Sequence, residues 1–156
     1  MTPLLIDVTR LMYRRLTRTL PTGIDRVSLA YIDHYAGNAR AVLSVGPFSA
    51  PLSAADSVKM FGALQDARLP ISWLAVRCVF KAVLWRWLCL GFPGSYLFNT
   101  GHIGLESRRY AIGLRRAGAR PIVVVHDLIP ITHPEYCRPG EDRKHIARMR
   151  AAIHLS

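Results

Sequence analysis

Acidic residues are scarce in this 156-residue sequence, which contains 10 Asp and Glu against 21 Lys and Arg. The net charge of +11 favours partners that carry phosphate, such as a nucleotide or an anionic membrane surface. No basic run reaches five residues, so the sequence lacks the tail that is typical of nucleic-acid-binding proteins. We therefore do not expect nucleic acid to be a partner.

Cysteines are few, and several familiar motifs are missing. The three cysteines Cys78, Cys89 and Cys137 form no C-x-x-C pair, which excludes a disulfide scaffold and predicts reduced thiols in a cytoplasmic protein. No G-x-G-x-x-G, G-K-[ST] or G-x-S-x-G motif is present, which excludes the dinucleotide fingerprint, the P-loop and the nucleophile elbow. His126 and His133 have no third ligand at a recognisable spacing, so we expect no metal and no cofactor. The N-terminus lacks the basic region of a signal peptide.

Short apolar runs alternate with helical patterns along the chain. The runs predict strands at residues 4–8, 40–45, 96–98 and 121–125, and helices at residues 22–36, 53–67, 106–117 and 141–153. Thr22 and Asp25 have the spacing of a capping box at the start of a helix. This alternation predicts an α/β fold with a Rossmann-like parallel sheet. The near-continuous apolar runs 4–8 and 122–125 are expected to be its central strands.

Residues 71–90 form a Trp-rich apolar segment that is predicted to be a helix. It contains all three tryptophans together with Arg77, Lys81 and Arg86. These charges make a bilayer span costly, whereas Trp beside Arg and Lys suits a helix that lies flat at a membrane surface. A packed core helix, an interfacial helix and a transmembrane helix all remain open. We expect a helix along the domain surface with part of its apolar face exposed.

Polar residues follow the predicted strands, where ligands of parallel sheets bind. The candidate ligand-contacting residues are Gly23 and Arg26 at a helix start, Asn99, Gly101 and His102 after the third strand, and His126 and Asp127 after the fourth. A helix N-terminus with a glycine and an arginine favours an anion, and a histidine at a strand end can exchange hydrogen bonds with a substrate near pH 7. An ordinary capped helix and a structural histidine are the alternative interpretations.

Four segments together resemble the bacterial group 1 glycosyltransferases, which are retaining enzymes of the GT-B fold. The segments are residues 5–10 (LIDVTR), 21–27 (PTGIDRV), 125–130 (VHDLIP) and 133–137 (HPEYC). The resemblance implies a GT-B fold in which residues 1–156 are a partial N-terminal, acceptor-side domain. It further implies that His126 and Asp127 are catalytic residues close to the transferring sugar, and that Gly23 and Arg26 face the donor phosphates or the acceptor. Asp25 stands where many relatives have glycine.

The resemblance implies transfer of a sugar from a nucleotide-sugar to a cell-envelope glycan or a lipid-linked acceptor, as in polysaccharide biosynthesis. The motifs of the donor-binding domain are absent, so we expect a truncated chain, or one part of a split enzyme with a separate C-terminal half, that is inactive alone. The alternative is a non-catalytic α/β binding module at the membrane surface, or a partner of a separate donor-binding chain. Either role is compatible with a cytoplasmic protein that is peripheral at the inner face of the membrane.

Overall fold

The computed structural model describes residues 4–45, 48–87, 92–102, 104–105 and 107–155. The strands are β1 (Leu4–Asp7), β2 (Ala39–Val45), β3 (Phe48–Pro51), β4 (Tyr96–Asn99) and β5 (Arg120–Val123). The helices are α1 (Thr9–Leu16), α2 (Gly23–Tyr35), α3 (Ala54–Gln65), α4 (Ser72–Trp87), α5 (Arg108–Ala117), α6 (Ile129–Thr132) and α7 (Glu141–Leu155), with a 3-10 turn at Pro134–Tyr136. Positions 88–90 (including Cys89) and 106, which belong to predicted helices, lie outside the described residues.

The strands form one mostly parallel sheet in the order β3-β2-β1-β4-β5. β1 pairs in parallel with both β2 and β4, and β4 pairs in parallel with β5. The direction of strand progression reverses between β1 and β4, which is the place where ligands of open α/β sheets bind. The predicted α/β class and the central position of the first strand are therefore confirmed.

The position of β5 differs from the prediction. Residues 122–125 were expected to be a central strand, but the strand ends at Val123 and lies at the edge of the sheet that the described residues form. Ile122 is 37% exposed and Val125 is also exposed. An apolar strand has the same composition whether it pairs with one strand or with two, so the sequence does not distinguish an edge strand from a central strand.

Besides the short α6 and the 3-10 turn, β3 and α1 were not predicted. β3 pairs antiparallel with β2 in a segment whose prolines suggested a loop. Pro51 is tolerated there because an edge strand leaves some of its backbone N–H groups outside the ladder. Helix α1 directly follows β1 and places Leu11 and Met12 in the core. Its N-cap residue Val8 provides no capping side chain, but the Asp7 carboxylate accepts from the backbone N–H of Thr9.

Helices cover both faces of the sheet. On one face, Ile6 and Leu43 pack with residues of α1, α3 and α4. On the other face, Leu5, Val42 and Leu97 pack with Tyr110 and Leu114 of α5. Successive residues of β1 thus point to opposite layers, and both layers are apolar, as expected for a buried parallel strand.

Helix α4 has two apolar sides. Ala75, Cys78 and Ala82 are buried against the core, whereas Trp73 is 77% exposed and Phe80 is 70% exposed. Over the described residues 72–87 the chain is helical and leaves an apolar face exposed, as predicted for this part of the segment. No helix of the described residues is long and apolar enough to cross a membrane.

Candidate functional site

The carboxyl ends of β1, β2 and β4 carry a buried polar network. The Asp7 carboxylate accepts a hydrogen bond from Ser44 Oγ at 2.6 Å and another from the Thr9 backbone N–H at 2.9 Å. Ser44 Oγ also lies 2.9 Å from Ser49 Oγ. Burial raises the pKa of Asp7 although these hydrogen bonds act in the opposite direction. A carboxyl group is therefore held in an apolar layer directly beneath the edge of the sheet.

Tyr110 extends this network towards β4. Asn99 Nδ2 donates a hydrogen bond to Tyr110 Oη at 3.0 Å, and both residues are buried. Burial raises the pKa of the Tyr110 phenol, and the nearby Asp7 carboxylate adds to the shift. The phenol therefore stays protonated and acts as a neutral hydrogen-bonding group. Asn99, which the sequence predicts as a ligand contact, has a structural partner here.

Two histidines join the loops that follow β4 and β5. His102 Nε2 lies 2.5 Å from the carbonyl oxygen of Val124, and His126 Nε2 lies 2.7 Å from the carbonyl oxygen of Thr100. The two imidazole centroids are 5.2 Å apart. The bonds are reciprocal, since each loop supplies one imidazole and one carbonyl. Burial lowers the pKa of His102, and the neighbouring His126 adds to the shift.

These bonds determine which nitrogen of His126 can meet a ligand. A carbonyl oxygen only accepts hydrogen bonds, so Nε2 must carry the proton that it donates to Thr100. In the neutral imidazole Nδ1 is then the acceptor nitrogen. His126 can accept a hydrogen bond from a substrate hydroxyl at Nδ1, and its orientation is fixed by the loop after β4.

A third histidine, which the sequence analysis did not single out, completes this cluster. His145 of α7 is buried, and its Nε2 lies 3.0 Å from the carbonyl oxygen of Asp127. Its ring centroid is 6.1 Å from that of His102. His145 shares one helix face with Met149 and Ala152, which is a sequence signal that could have identified it as inward-facing.

The carboxylate of Asp127 is not directed at His126. Asp127 Oδ1 accepts a hydrogen bond from the Ile129 backbone N–H at 3.0 Å, and Asp127 itself is exposed. It thus caps the short helix α6, while Thr100 orients the His126 ring. A catalytic role for Asp127 stays a prediction.

Arg10 joins the start of α2 to the loop after β4. A Cβ on Gly101 would lie 2.9 Å from Cδ of Arg10, so glycine is needed for this close approach. The Nε of Arg10 donates to Asp25 Oδ1 at 2.9 Å, and its Nη2 lies 3.5 Å from Thr22 Oγ1. Arg10 therefore connects Gly101 to the N-terminus of α2, a contact that could not be predicted from either segment alone.

The N-terminus of α2 already holds a carboxylate. Asp25 Oδ2 accepts hydrogen bonds from the Thr22 backbone N–H at 2.7 Å and from Thr22 Oγ1 at 2.8 Å, and the predicted capping box is present. Gly23 and Arg26 lie beside it and are exposed. The negative group at this helix start is thus supplied by the chain itself, and phosphate binding at Gly23 and Arg26 stays a prediction.

Two sets of contacts bring some of the predicted residues to one edge of the sheet, and their role in ligand binding stays a prediction. Arg10 links Gly101 to the helix start that contains Gly23, and His126 is bonded to the segment that contains Thr100. Within the part of the chain that the structure describes, no group of three or more His, Cys, Asp or Glu residues could hold a metal ion. No family model, no curated protein and no solved structure matches the chain.

Proposed function

We propose that this chain is the acceptor-side, Rossmann-like domain of a glycosyltransferase that uses a nucleotide-sugar. The observation that carries this function is the convergence of motifs that are far apart in the sequence. Arg10 from the first segment of the glycosyltransferase resemblance bonds to Asp25 from the second, and it packs on Gly101. His126 from the third segment bonds to Thr100, beside Gly101. A sheet edge built in this way suits a ligand at the strand reversal.

The chemistry of this edge suits a sugar better than a phosphate. Nδ1 of His126 accepts a hydrogen bond from a sugar hydroxyl, while the capped start of α2 already has its own anion in Asp25. In the transfer step the bond between the anomeric carbon and the nucleoside diphosphate breaks, and the diphosphate leaves as an anion with the bonding electrons. The acceptor hydroxyl loses its proton as its oxygen bonds to the anomeric carbon. His126 would contribute orientation of the reacting sugar, which is a large part of catalysis in such reactions.

Saturation-transfer difference NMR can test this function, because it detects weak binding. The protein is mixed with UDP-glucose or GDP-mannose, and UDP and GDP serve as comparison ligands. We expect saturation of the sugar protons, and a clear loss of it in His126→Gln. The matched control is His133→Gln, which changes an exposed histidine that pairs with Glu135. The proposed function would be contradicted if the protons of neither sugar were saturated, or if His126→Gln and His133→Gln gave equal saturation.

A second candidate function, binding at an anionic membrane surface, is favoured by α4. Its exposed residues Trp73, Val76 and Phe80 recur at helical spacing and form one apolar stripe. Beside the stripe, Arg77 and Lys81 both pair with the single carboxylate of Asp56, and the Lys81 hydrogen bond lowers the pKa of Asp56. One positive charge remains uncompensated at this flank. It complements anionic lipid, as does the net charge of the chain.

Liposome flotation separates this membrane function from the glycosyltransferase function. Charge reversal at Arg77 would also break its pair with Asp56, so the informative variant is Trp73→Ser together with Phe80→Ser. We expect the wild-type chain to float with anionic vesicles and the double variant to stay at the bottom. Tyr136→Ser, which removes an exposed aromatic ring elsewhere, is the control. Equal flotation of all three proteins would eliminate the membrane function.

A further inference from the structure

A cavity of about 380 Å³ adjoins the start of α2 and shares Asp25 with the candidate site. It is bordered by α1, the connection between α1 and α2, α2 itself and the end of α3. Its apolar wall includes Leu11, Leu29 and Leu64. Its charged wall includes Arg14, Arg15 and Arg18. The volume lies within the range of small-molecule sites, roughly 300–1,000 Å³.

The apolar wall is preformed. Leu11 and Leu64 are buried in the core, and Leu29 packs against it from α2. Leu20 stands at the cavity as well and is 83% exposed. An aliphatic chain in the cavity would cover Leu20 and leave the core unchanged, so its binding gains apolar contact without a rearrangement.

Arg14 and Arg15 are held in place by backbone carbonyls. A guanidinium nitrogen of Arg14 donates to the carbonyl oxygen of Leu20, and one of Arg15 donates to that of Ala67. Each guanidinium has five N–H donors, so both retain donors for a ligand. The Nε of Arg15 is buried and has no hydrogen-bond acceptor among the described residues. Such a donor is costly to leave unpaired and is satisfied when an anion enters.

Positive charge predominates around the cavity. Asp25 is the carboxylate in its wall, and Arg10 and Arg14 already bind its two oxygens at 2.9 and 2.7 Å. Asp66, beside the wall, interacts with Arg15, whereas Arg18 has no matching acid among the residues of the wall. The backbone of Arg18 is left-handed, with φ at 54°. This conformation is unfavourable for residues other than glycine, and backbone outliers of this kind cluster at sites that hold ligands.

We infer that this cavity binds an amphipathic anion, meaning a molecule with one phosphate or carboxylate head and an aliphatic chain. The head would meet Arg15 and Arg18, because the arginine fork matches both anions, and the chain would lie along the leucines. The anion could be a free amphiphile or the headgroup end of a membrane lipid. This binding site is independent of the glycosyltransferase function and stands if that function fails.

Isothermal titration calorimetry tests the site with three probes: decyl phosphate below its micelle-forming concentration, inorganic phosphate and decanol. We expect saturable binding of one decyl phosphate per chain. Inorganic phosphate lacks the aliphatic chain and decanol lacks the anionic head, so each should bind at least about tenfold more weakly. Equally tight binding of decanol, or no saturable binding of decyl phosphate, would overturn the site.

Two variants locate the binding within the cavity. Arg18→Asn removes the charge and keeps a residue that tolerates left-handed backbone, and Leu20→Ser shortens the exposed apolar wall. Each should weaken decyl phosphate binding by about tenfold. The matched controls, Arg138→Asn and Ile153→Ser, change an exposed arginine and an exposed isoleucine elsewhere and should leave it unchanged. Equal affinity in Arg18→Asn and Arg138→Asn would refute the assignment.

A vesicle-binding experiment distinguishes a membrane lipid from a free amphiphile as the source of the anion. Vesicles of neutral phosphatidylcholine with or without phosphatidate are sedimented with the wild-type chain and with Arg18→Asn. Phosphatidate-dependent sedimentation that Arg18→Asn abolishes identifies a membrane lipid as the ligand. Binding of decyl phosphate without such sedimentation identifies a free amphiphile.

Discussion

Asp25 is the most heavily bonded carboxylate at the candidate site, and its replacement by asparagine should destabilise the fold strongly. The residue is 1% exposed, and its side chain accepts hydrogen bonds from the Thr22 N–H, the Thr22 hydroxyl and Arg10 Nε. Arg14 Nε lies 2.7 Å from its second oxygen. Asparagine keeps the shape but removes the charge, and its NH2 group faces the arginine donors.

The size of the effect follows from these contacts. Loss of an N-terminal cap costs about 1 kcal/mol, and a hydrogen bond between charged groups contributes about 1.5–3 kcal/mol. The side chains of Arg10 and Arg14 remain 27% and 21% exposed, so water replaces part of what they lose. We expect the free energy of unfolding to fall by about 3 kcal/mol, which corresponds to a decrease in Tm of roughly 10 °C for a chain of this size.

Urea unfolding followed by circular dichroism measures this change. Asp33→Asn is the matched control, because Asp33 lies on the same helix, is exposed and has a Gln65 partner at 3.2 Å. It should stay within about 0.5 kcal/mol of the wild type. If Asp25→Asn and Asp33→Asn unfold at the same urea concentration, the network around Asp25 does not stabilise the fold as described.

The pKa of Asp25 gives an independent check. Burial alone would raise it, but the hydrogen bonds from Thr22 and Arg10 outweigh burial and hold the pKa of Asp25 below its usual range. A carboxyl group whose pKa is lowered on folding contributes stability above its unfolded pKa of about 3.9, and this stability is lost on acidification below that value. The wild type and Asp25→Asn should therefore converge in stability as the pH falls below about 4.

Three further perturbations test the rest of the structure by urea unfolding. Tyr110→Phe removes the phenol oxygen that accepts from Asn99 and should cost about 1–2 kcal/mol; no change would mean that the buried network is dispensable. Burial lowers the pKa of His102, so the unfolded chain binds more protons than the folded chain below about pH 6.5. The free energy of unfolding should therefore fall between pH 7.5 and 5.5, by at most about 1.4 kcal/mol per pH unit. His102→Asn should flatten this dependence. Gly118→Ala should destabilise by about 2 kcal/mol, since φ is 70° and the new Cβ would lie 2.9 Å from the Pro93 Cα; Gly37→Ala, where the space is open, should differ little from wild type, and equal losses would refute the close approach.

The elements with strong local signals could be predicted from the sequence. The capping box at Thr22 and the N-cap at Ser53 are both present, because a cap is determined by residues within one turn. The open apolar face of α4 could also be predicted, because the helix has more apolar residues than one buried face can hold. The edge position of β5 could not be predicted, because it depends on which strands pair, and that information is distributed over the whole chain.

The residues of the candidate site likewise include some that local sequence could predict and some that it could not. His126, Asn99 and Gly101 could be identified because they directly follow apolar strands. Ser44 and Tyr110 could not, since their polar partners lie 37 and 11 residues away in the chain. The helix face of His145 indicates that it points inward, but its partner Asp127, 18 residues away, could not be predicted. The structure also changes the interpretation of His126, whose Nε2 is engaged by a backbone carbonyl and whose Nδ1 is left as the acceptor.

The most direct test of the glycosyltransferase function is a nitrogen-15 NMR titration of the chain with UDP-glucose and GDP-mannose, up to about 1 mM, the upper end of usual KM values. We expect saturable shifts of backbone amides centred on residues 9–10, 99–102 and 126–127. These residues lie together only in the folded chain, so a joint response would identify the carboxyl edge as the sugar-binding surface. No saturable shift with either compound, or shifts confined to α4 or to the arginine-lined cavity, would contradict the proposed function.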